Sequence, residues 1–397
     1  MGKIVTTWLF IVLACAASGL AQAQSAEWKT LNEQVDALAN QGHYQQAIVI
    51  AKQAVQLAEK SPGPGNSILG VSLANLGVLY RIVGDYPQCT AFLERSQGIV
   101  EKVGPESVLL GTILNSAGDC YMDQGQYALA EPRYLRALAI REKVLGSEAP
   151  DLGTTLNSLG YLHRTRAEYA RADALFKRAL GIYEKAFGPE HPWVATSVNN
   201  IAHLYRIQQR YAEAEPLFQR ALAISEKVLP PDHPEIAVSL NNLGELYLGQ
   251  NDYARAEPLL LRALSMMEKT QGQSGPRNAP IVDNLGRLYS RQAKFDLSEP
   301  YYKRALALRE KLLGPDHPDV ALTLNNLAQI YGRQRLYREA EPLFDRARAI
   351  MEKALGPDHP DVAMVLNNIA ELYSRTGRQE QARILDERVA AIRSIKR

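Results

Sequence analysis

The stretch "GPDHPDVALTLNNLAQIY" starts at Gly314, and "GPDHPDVAMVLNNIAELY" starts at Gly356, 42 residues later. "GPEHPWVATSVNNIAHLY" at Gly188 and "PPDHPEIAVSLNNLGELY" at Pro230 keep the same spacing, and looser copies stand at Gly146 ("GSEAPDLGTTLNSLGYLH") and Gly104 ("GPESVLLGTILNSAGDCY"). No other feature constrains the fold as strongly. A unit this short cannot bury its own apolar face, so copies must stack, each touching only its neighbours. The length of 397 residues, which would otherwise suggest two or three domains, therefore measures the number of units.

Within one unit, Leu324, Leu327, Ala328 and Tyr331 fall at i, i+3, i+4 and i+7, one face of a helix. Ala340, Leu343, Phe344, Ala347, Ile350, Met351 and Leu355 repeat that spacing, so each unit holds two helices. Gly314 suits a helix end and Pro318 the first turn of the next helix. Pro342, with Pro132, Pro216, Pro258 and Pro300 in the same slot, is expected to lie in the first turn of the second helix, where no i−4 bond is lost, and to fix where that helix starts. Tyr80, Tyr121, Tyr205, Tyr247, Tyr289, Tyr331 and Tyr373 recur near the end of the first helix, with His163 once in their place. Tyr44, Tyr86, Tyr127, Tyr169, Tyr211, Tyr253, Phe295 and Tyr337 mark the start of the second. A small residue lies three positions after each of the latter (Ala47, Cys89, Ala130 and so on) and another three before each of the former (Gly77, Gly118, Gly160, Ala202, Gly244, Gly286, Ala328, Ala370). Small residues let two helices approach closely. The reading is an all-α solenoid of about nine helical hairpins over residues 24–397.

The small residues, the paired aromatics, the "NN" pair and "AEPLF" followed by "RA" and "EK" resemble the tetratricopeptide repeat, and the 42-residue period resembles its kinesin light chain type. The resemblance runs from about Ser25 to the C-terminus and fades at "TQGQSGPRNAP", Thr270 to Pro280, where Pro280 is expected to shorten the following helix. It implies an α–α superhelix with an inner groove that binds peptides or proteins.

The first 23 residues differ. One lysine, an apolar run from Trp8 to Ala17 and "AQA" at Ala21 to Ala23 read as a secretory signal cleaved after Ala23. The run is shorter than the roughly 20 apolar residues of a membrane span, and no later segment is apolar enough. The expected location is periplasmic or secreted. The alternative is a lipid-anchored envelope protein, with "VLAC" ending at Cys15 as a lipobox in which Leu13 is unusual. With Cys15 removed, Cys89 and Cys120 remain, and both sit in buried-type slots near a common turn. They read either as two packed thiols or as a disulfide between early repeats.

A net charge of +2 does not argue for nucleic acid. His191, His233, His317 and His359 share one slot, but packed helices lie about 8–10 Å apart, too far for the roughly 2.0–2.1 Å zinc–nitrogen bonds of a shared metal; they read as residues of the turn. No GxSxG, phosphate-binding loop, HExxH or CxxC occurs, and Glu131, Glu215, Glu257, Glu299 and Glu341 recur as scaffold residues, so neither catalysis nor a cofactor is expected. Asn75, Asn200, Asn242, Asn284, Asn326 and Asn368 occupy the slot that lines the groove in the resembling family, where an amide can bond a peptide backbone; bonding between neighbouring helices is the rival role, favoured for the preceding column (Asn115, Asn157, Asn199, Asn241, Asn325, Asn367). Arg81, Arg164, Arg206, Arg291, Arg333 and Arg375 follow the slot tyrosine. They suit either a helix C-terminus or a basic rim for acidic segments. The functional reading is a protein- or peptide-binding scaffold for an extended, acidic partner. The alternative is a structural or assembly factor of the envelope that self-associates, against which the polar last helix, "QEQARILDERVAAIRSIKR", reads as a cap.

Overall fold

The computed structural model describes residues 19–60, 67–273, 275 and 277–394. Cys15 and most of the leader lie outside them. Among the described residues eighteen helices follow one another with no strand between. Two compact units divide the chain, Met1–Ile182 and Tyr183–Arg397, with the boundary inside one helix. The first unit holds α1 (Gly19–Asn40), α2 (Tyr44–Glu59), α3 (Ser67–Ile82), α4 (Tyr86–Val103), α5 (Val108–Asp123), α6 (Tyr127–Leu145), α7 (Leu152–Thr165) and most of α8 (Tyr169–Phe187). The second holds α9 (Pro192–Ile207), α10 (Tyr211–Val228), α11 (Pro234–Gly249), α12 (Tyr253–Gln271), α13 (Asn278–Arg291), α14 (Phe295–Leu313), α15 (Pro318–Arg333), α16 (Tyr337–Leu355), α17 (Pro360–Arg375) and α18 (Gln379–Ser394). These are the nine expected hairpins, and α13 is short, at 14 residues against 16 in α11, as Pro280 predicts.

The turn inside each hairpin has one construction. At α15–α16 the Leu336 N–H bonds the Tyr331 carbonyl at 2.9 Å and the Arg335 N–H bonds that of Gly332 at 3.1 Å, a Schellman arrangement with the intervening residue left-handed. That position is glycine at Gly42, Gly84, Gly125 and Gly377, but Ala167, Gln209, Asn251, Ala293 and Arg335 hold φ of 57–63° in the other turns. This residue, not the proline, sets where the second helix begins: α8 starts at Tyr169 with alanine in the proline slot. Pro342 is the sixth residue of α16 and interrupts its ladder at Arg338, contrary to the expectation of a harmless first-turn proline. A left-handed alanine costs about 1–2 kcal/mol, part of which glycine returns through its freer unfolded chain. Ala293→Gly should therefore raise stability by about 1 kcal/mol in chemical denaturation.

Between hairpins the sequence GPDHP closes one helix and opens the next. Gly314 takes φ 95°, and His317 caps α15 by accepting the Asp319 N–H on Nδ1 at 2.9 Å. His191, His233 and His359 accept from Trp193, Glu235 and Asp361 in the same way. The histidine column is thus a set of helix caps.

The small slot of each first helix receives a large side chain from the second. A Cβ on Gly118 would lie 2.5 Å from Tyr134, one on Gly160 2.5 Å from Phe176, and one on Gly286 2.9 Å from Tyr302. Tyr134 and Phe176 are fully buried there. Cys89 on α4 and Cys120 on α5 face each other in the first unit, with Cα atoms 6.5 Å apart and neither residue exposed. That separation lies within the disulfide range, and a bond between them would tie two successive hairpins.

Candidate functional site

Successive first helices of the second unit, α9, α11, α13, α15 and α17, touch one another and form one continuous face. The candidate residues lie on or beside it, but most are already engaged with a neighbouring repeat. The Asn284 amide donates to Asn241 Oδ1 at 2.8 Å and the Asn368 amide to Asn325 Oδ1 at 2.7 Å. In the first unit Asn75 donates to Asn32 at 3.1 Å. The later asparagine column therefore bonds the earlier column of the preceding hairpin, the role that the sequence favoured for the earlier column. Asn200, Asn242 and Asn284 are buried, whereas Asn75, Asn326 and Asn368 reach the surface. Burial between close helices removes the first three from direct reach of a ligand.

The arginines are not one rim. Arg81, Arg164 and Arg206 stand one residue after the slot position, but Arg291, Arg333 and Arg375 stand two after it, about 100° further round a helix of 3.6 residues per turn. Arg81 reaches forward to Asp123 at 3.1 Å and Arg206 to Glu245 at 3.4 Å, while Arg164 lies over the Tyr161 ring at 4.3 Å. Arg291 and Arg333 reach back to helix-end carbonyls of the preceding hairpin, Leu248 at 3.3 Å and Ser290 at 2.9 Å. The favourable cation–dipole contact expected at a helix C-terminus is thus made with the neighbour's helix. Arg375 departs from that pattern and pairs with Glu371 on its own helix at 2.6 Å.

Two carboxylates, half-buried Asp119 and buried Glu245, stand beside the small slot. Burial lifts the Asp119 carboxyl above the usual range despite Arg81, and it accepts the Tyr134 hydroxyl at 2.7 Å. Burial also pushes Glu245 upward, but Arg206, Arg287 and His203 overcome this and hold it at about 2, below the ordinary 4.5. Because the folded value is depressed, the stability that Glu245 contributes is complete above pH 4.5 and is lost as the pH falls toward 2. Glu245→Gln should remove that part of the acid limb in a pH series of denaturation midpoints.

The second unit holds a cavity of about 220 Å³ at the α15–α17 step. Phe344 from α16 and Leu372 form an apolar floor, both 3% exposed. Gln329, Arg333, Asn368 and Arg375 bring polar groups to its wall, with Glu371 beside Arg375. Three residues singled out in the sequence, Arg333, Asn368 and Arg375, therefore converge here. Asn326, Arg291 and the earlier arginines do not line it. A broader depression over Gly104–Ser107 in the first unit is edged by Arg136, which is already paired with Glu101.

A tetratricopeptide-repeat signature matches residues 109–185, 193–269, 278–342 and 322–394, well over half of the sequence. The chain belongs to the tetratricopeptide-repeat family. Among solved structures, a Rap protein complexed with Competence and Sporulation Factor is similar at 16% identity and a TM-score of 0.60, covering 93% of this chain and 98% of that one. A Rap conjugation gene regulator of a plasmid, in complex with a Phr peptide, is similar at 15% identity and 0.58, covering 92% and 94%. A putative kinesin light chain of Podospora anserina with nearly identical repeats is similar at 24% identity and 0.42, covering 51% and 96%. A comparison with curated proteins gives no match.

In these tetratricopeptide repeats two further ladders run between hairpins. Tyr247, Tyr289 and Tyr331 donate their hydroxyls to Glu215, Glu257 and Glu299 of the preceding hairpin at 2.7–2.9 Å, which gives the recurring glutamate its scaffold role. On the second helices Arg178, Arg220, Arg262, Arg346 and Arg388 pair with Glu142, Glu184, Glu226, Glu310 and Glu352 at 2.6–2.8 Å. The sequence carries this outer ladder in "RALAIREK", as an arginine and a glutamate six residues apart. The reading missed it because the partners lie in different repeats, 36 residues apart. Among the described residues no cluster of three metal-type ligands occurs, and no helix is long and apolar enough to cross a membrane.

Proposed function

We propose that this chain is a non-enzymatic binding scaffold that holds a peptide or an extended protein segment against the face built by α9, α11, α13, α15 and α17. The cavity at the α15–α17 step carries this reading, because it sets exposed arginine and amide groups around an apolar floor. A few polar groups placed around apolar walls are the usual composition of a ligand site. The peptide-bound Rap regulator of similar fold supports the same use. The exposed cations Arg291, Arg333 and Arg375 suit an acidic partner, and a net charge of +2 does not argue for a nucleic acid. The leader pattern, read as cleaved behind Ala23, supports a periplasmic or secreted location, with lipidation at Cys15 as the alternative anchor.

The test is recovery of partners from an envelope fraction with the full-length chain and with Arg291→Glu, Arg333→Glu, Arg375→Glu combined. These three guanidiniums are exposed, and none of them takes part in the Arg206–Glu245 pair, which the variant therefore keeps. Loss of a partner in the variant is the expected result. An identical partner set, or recovery of the protein with itself alone, favours the structural role.

A further inference from the structure

Two hairpin turns show what the local fold prefers. At Gly84–Asp85 and Asn251–Asp252 the first residue is left-handed and the aspartate caps the second helix, accepting the Gln88 N–H at 3.3 Å and the Arg255 N–H at 3.1 Å. Two adjacent hairpins of the second unit reverse that choice. Arg335 holds φ 63°, a conformation that suits glycine, and Leu336 follows it at the N-cap of α16 with no atom to accept a bond. One repeat earlier Lys294 stands at the N-cap of α14, also without a capping bond. Both turns therefore give up local stability.

The side chains gain nothing within the chain in return. Lys294, Arg335 and Arg338 are exposed, and among the described residues none of them has an ion pair or a side-chain hydrogen bond. The cations of the flanking turns are engaged: Arg210 with Glu213, Arg255 with Asp252, Arg378 with Glu341. Leu297 and Leu336, 49% and 39% exposed, stand among the three cations. Arg291 and Arg333 end the helices that lead into these turns, so five cations meet two exposed carboxylates, Asp296 and Glu339. Residues that break a local rule without an internal gain mark functional positions.

We propose that this edge of α13–α16 docks on an anionic phospholipid surface. Leu297 and Leu336 enter the head-group boundary, and Lys294, Arg335 and Arg338 meet lipid phosphates. Apolar tips set among cations are the composition of an interfacial membrane contact, and each cation near an anionic bilayer is worth about fivefold in partition. None of the five lines the cavity at the α15–α17 step, and a lipid boundary receives an apolar tip without a pocket on either side. No helix of the described residues is long and apolar enough to cross a membrane, so the contact is peripheral and does not depend on a ligand in the groove.

The test is flotation of the full-length protein with vesicles of phosphatidylglycerol and phosphatidylcholine in equal parts, and with vesicles of phosphatidylcholine alone. The leader is present in every form and adds the same background. The mixed vesicles should take up at least about tenfold more protein. Lys294→Asp, Arg335→Gly and Leu336→Asp combined give both turns an aspartate cap and the second a glycine. This variant should raise the denaturation midpoint while its partition onto mixed vesicles falls at least about twentyfold. Opposite signs in the two measurements separate lipid contact from loss of fold. Leu297→Ser with Arg338→Gln leaves both turns as they are and should lower partition about tenfold. Equal uptake by the two kinds of vesicle, or uptake unchanged in both variants, overturns the proposal. Uptake by neither overturns it as well and leaves the unpaired cations to an acidic protein.

Discussion

Gly118→Ala should destabilise the protein by about 3 kcal/mol, although alanine is the better helix former by about 1 kcal/mol. The added Cβ would meet the Tyr134 ring at 2.5, 2.7 and 2.9 Å. Tyr134 cannot retreat freely, because it is fully buried and its hydroxyl is held at 2.7 Å by Asp119, itself half-buried and accepting from the Ser158 hydroxyl at 3.3 Å. Overpacking costs roughly 1–3 kcal/mol, and a weakened bond to a charged group roughly 1.5–3. The same slot tolerates alanine opposite Phe218 and Phe344, which have no hydroxyl to hold in place. In both repeats where tyrosine fills it, at Tyr134 and Tyr302, the facing residue is glycine. Gly181→Ala is the control, since its Cβ would meet nothing within 4 Å, and it should stabilise by up to about 1 kcal/mol. Urea titration of both variants reads the opposite signs directly.

Opening the Cys89–Cys120 bridge should cost about 3–4 kcal/mol, the chain-entropy value for a loop of this length. The loop closes over a sequence separation of 31 and includes the turn between α4 and α5. Replacing both cysteines by alanine, or denaturing under reductant, should lower the midpoint of the first unit by the corresponding amount. Peptide mapping without reduction should recover the two cysteines in one linked pair; alkylation of both as free thiols ends the assignment. Recovery of the linked pair from cells would support an oxidising compartment, where such bonds usually form and persist.

The helices, their number and their boundaries were legible because they depend on local spacing: the aromatics that open the second helices, seven tyrosines and Phe295, stand at the first residue of each from α2 to α16. The left-handed turn inside the hairpin was not read in the sequence: glycine marks it at Gly42, Gly84 and Gly125, but at Ala167 and Arg335 tertiary packing imposes a conformation the residue does not prefer. Tyr134, Phe176 and Phe218 looked like ordinary apolar positions. Their role as knobs against the small slot depends on how two helices meet. The asparagine and arginine columns were visible as columns, but a bond to a residue about one repeat away, such as Asn284 to Asn241 or Arg333 to Ser290, leaves no local trace. Of the proposed groove residues, Arg333, Asn368 and Arg375 line one cavity, and that convergence depends on the open space beside Gly332.

The rungs between hairpins differ in offset, 43, 36 and 32 residues, but each kind recurs with the period of the repeat, so the fold has a natural unit of length change. Excision of residues 314–355 would join Leu313 to Gly356 and present Glu310 to Arg388 in place of Glu352, Glu299 to Arg378 in place of Glu341, and Asp283 to Asn368 in place of Asn325. Each new neighbour is an acceptor of the kind it replaces. Gain or loss of one whole period therefore leaves every joint closed, whereas a change of a few residues would misalign all of them at once. Such a chain can be lengthened or shortened by recombination between its own copies.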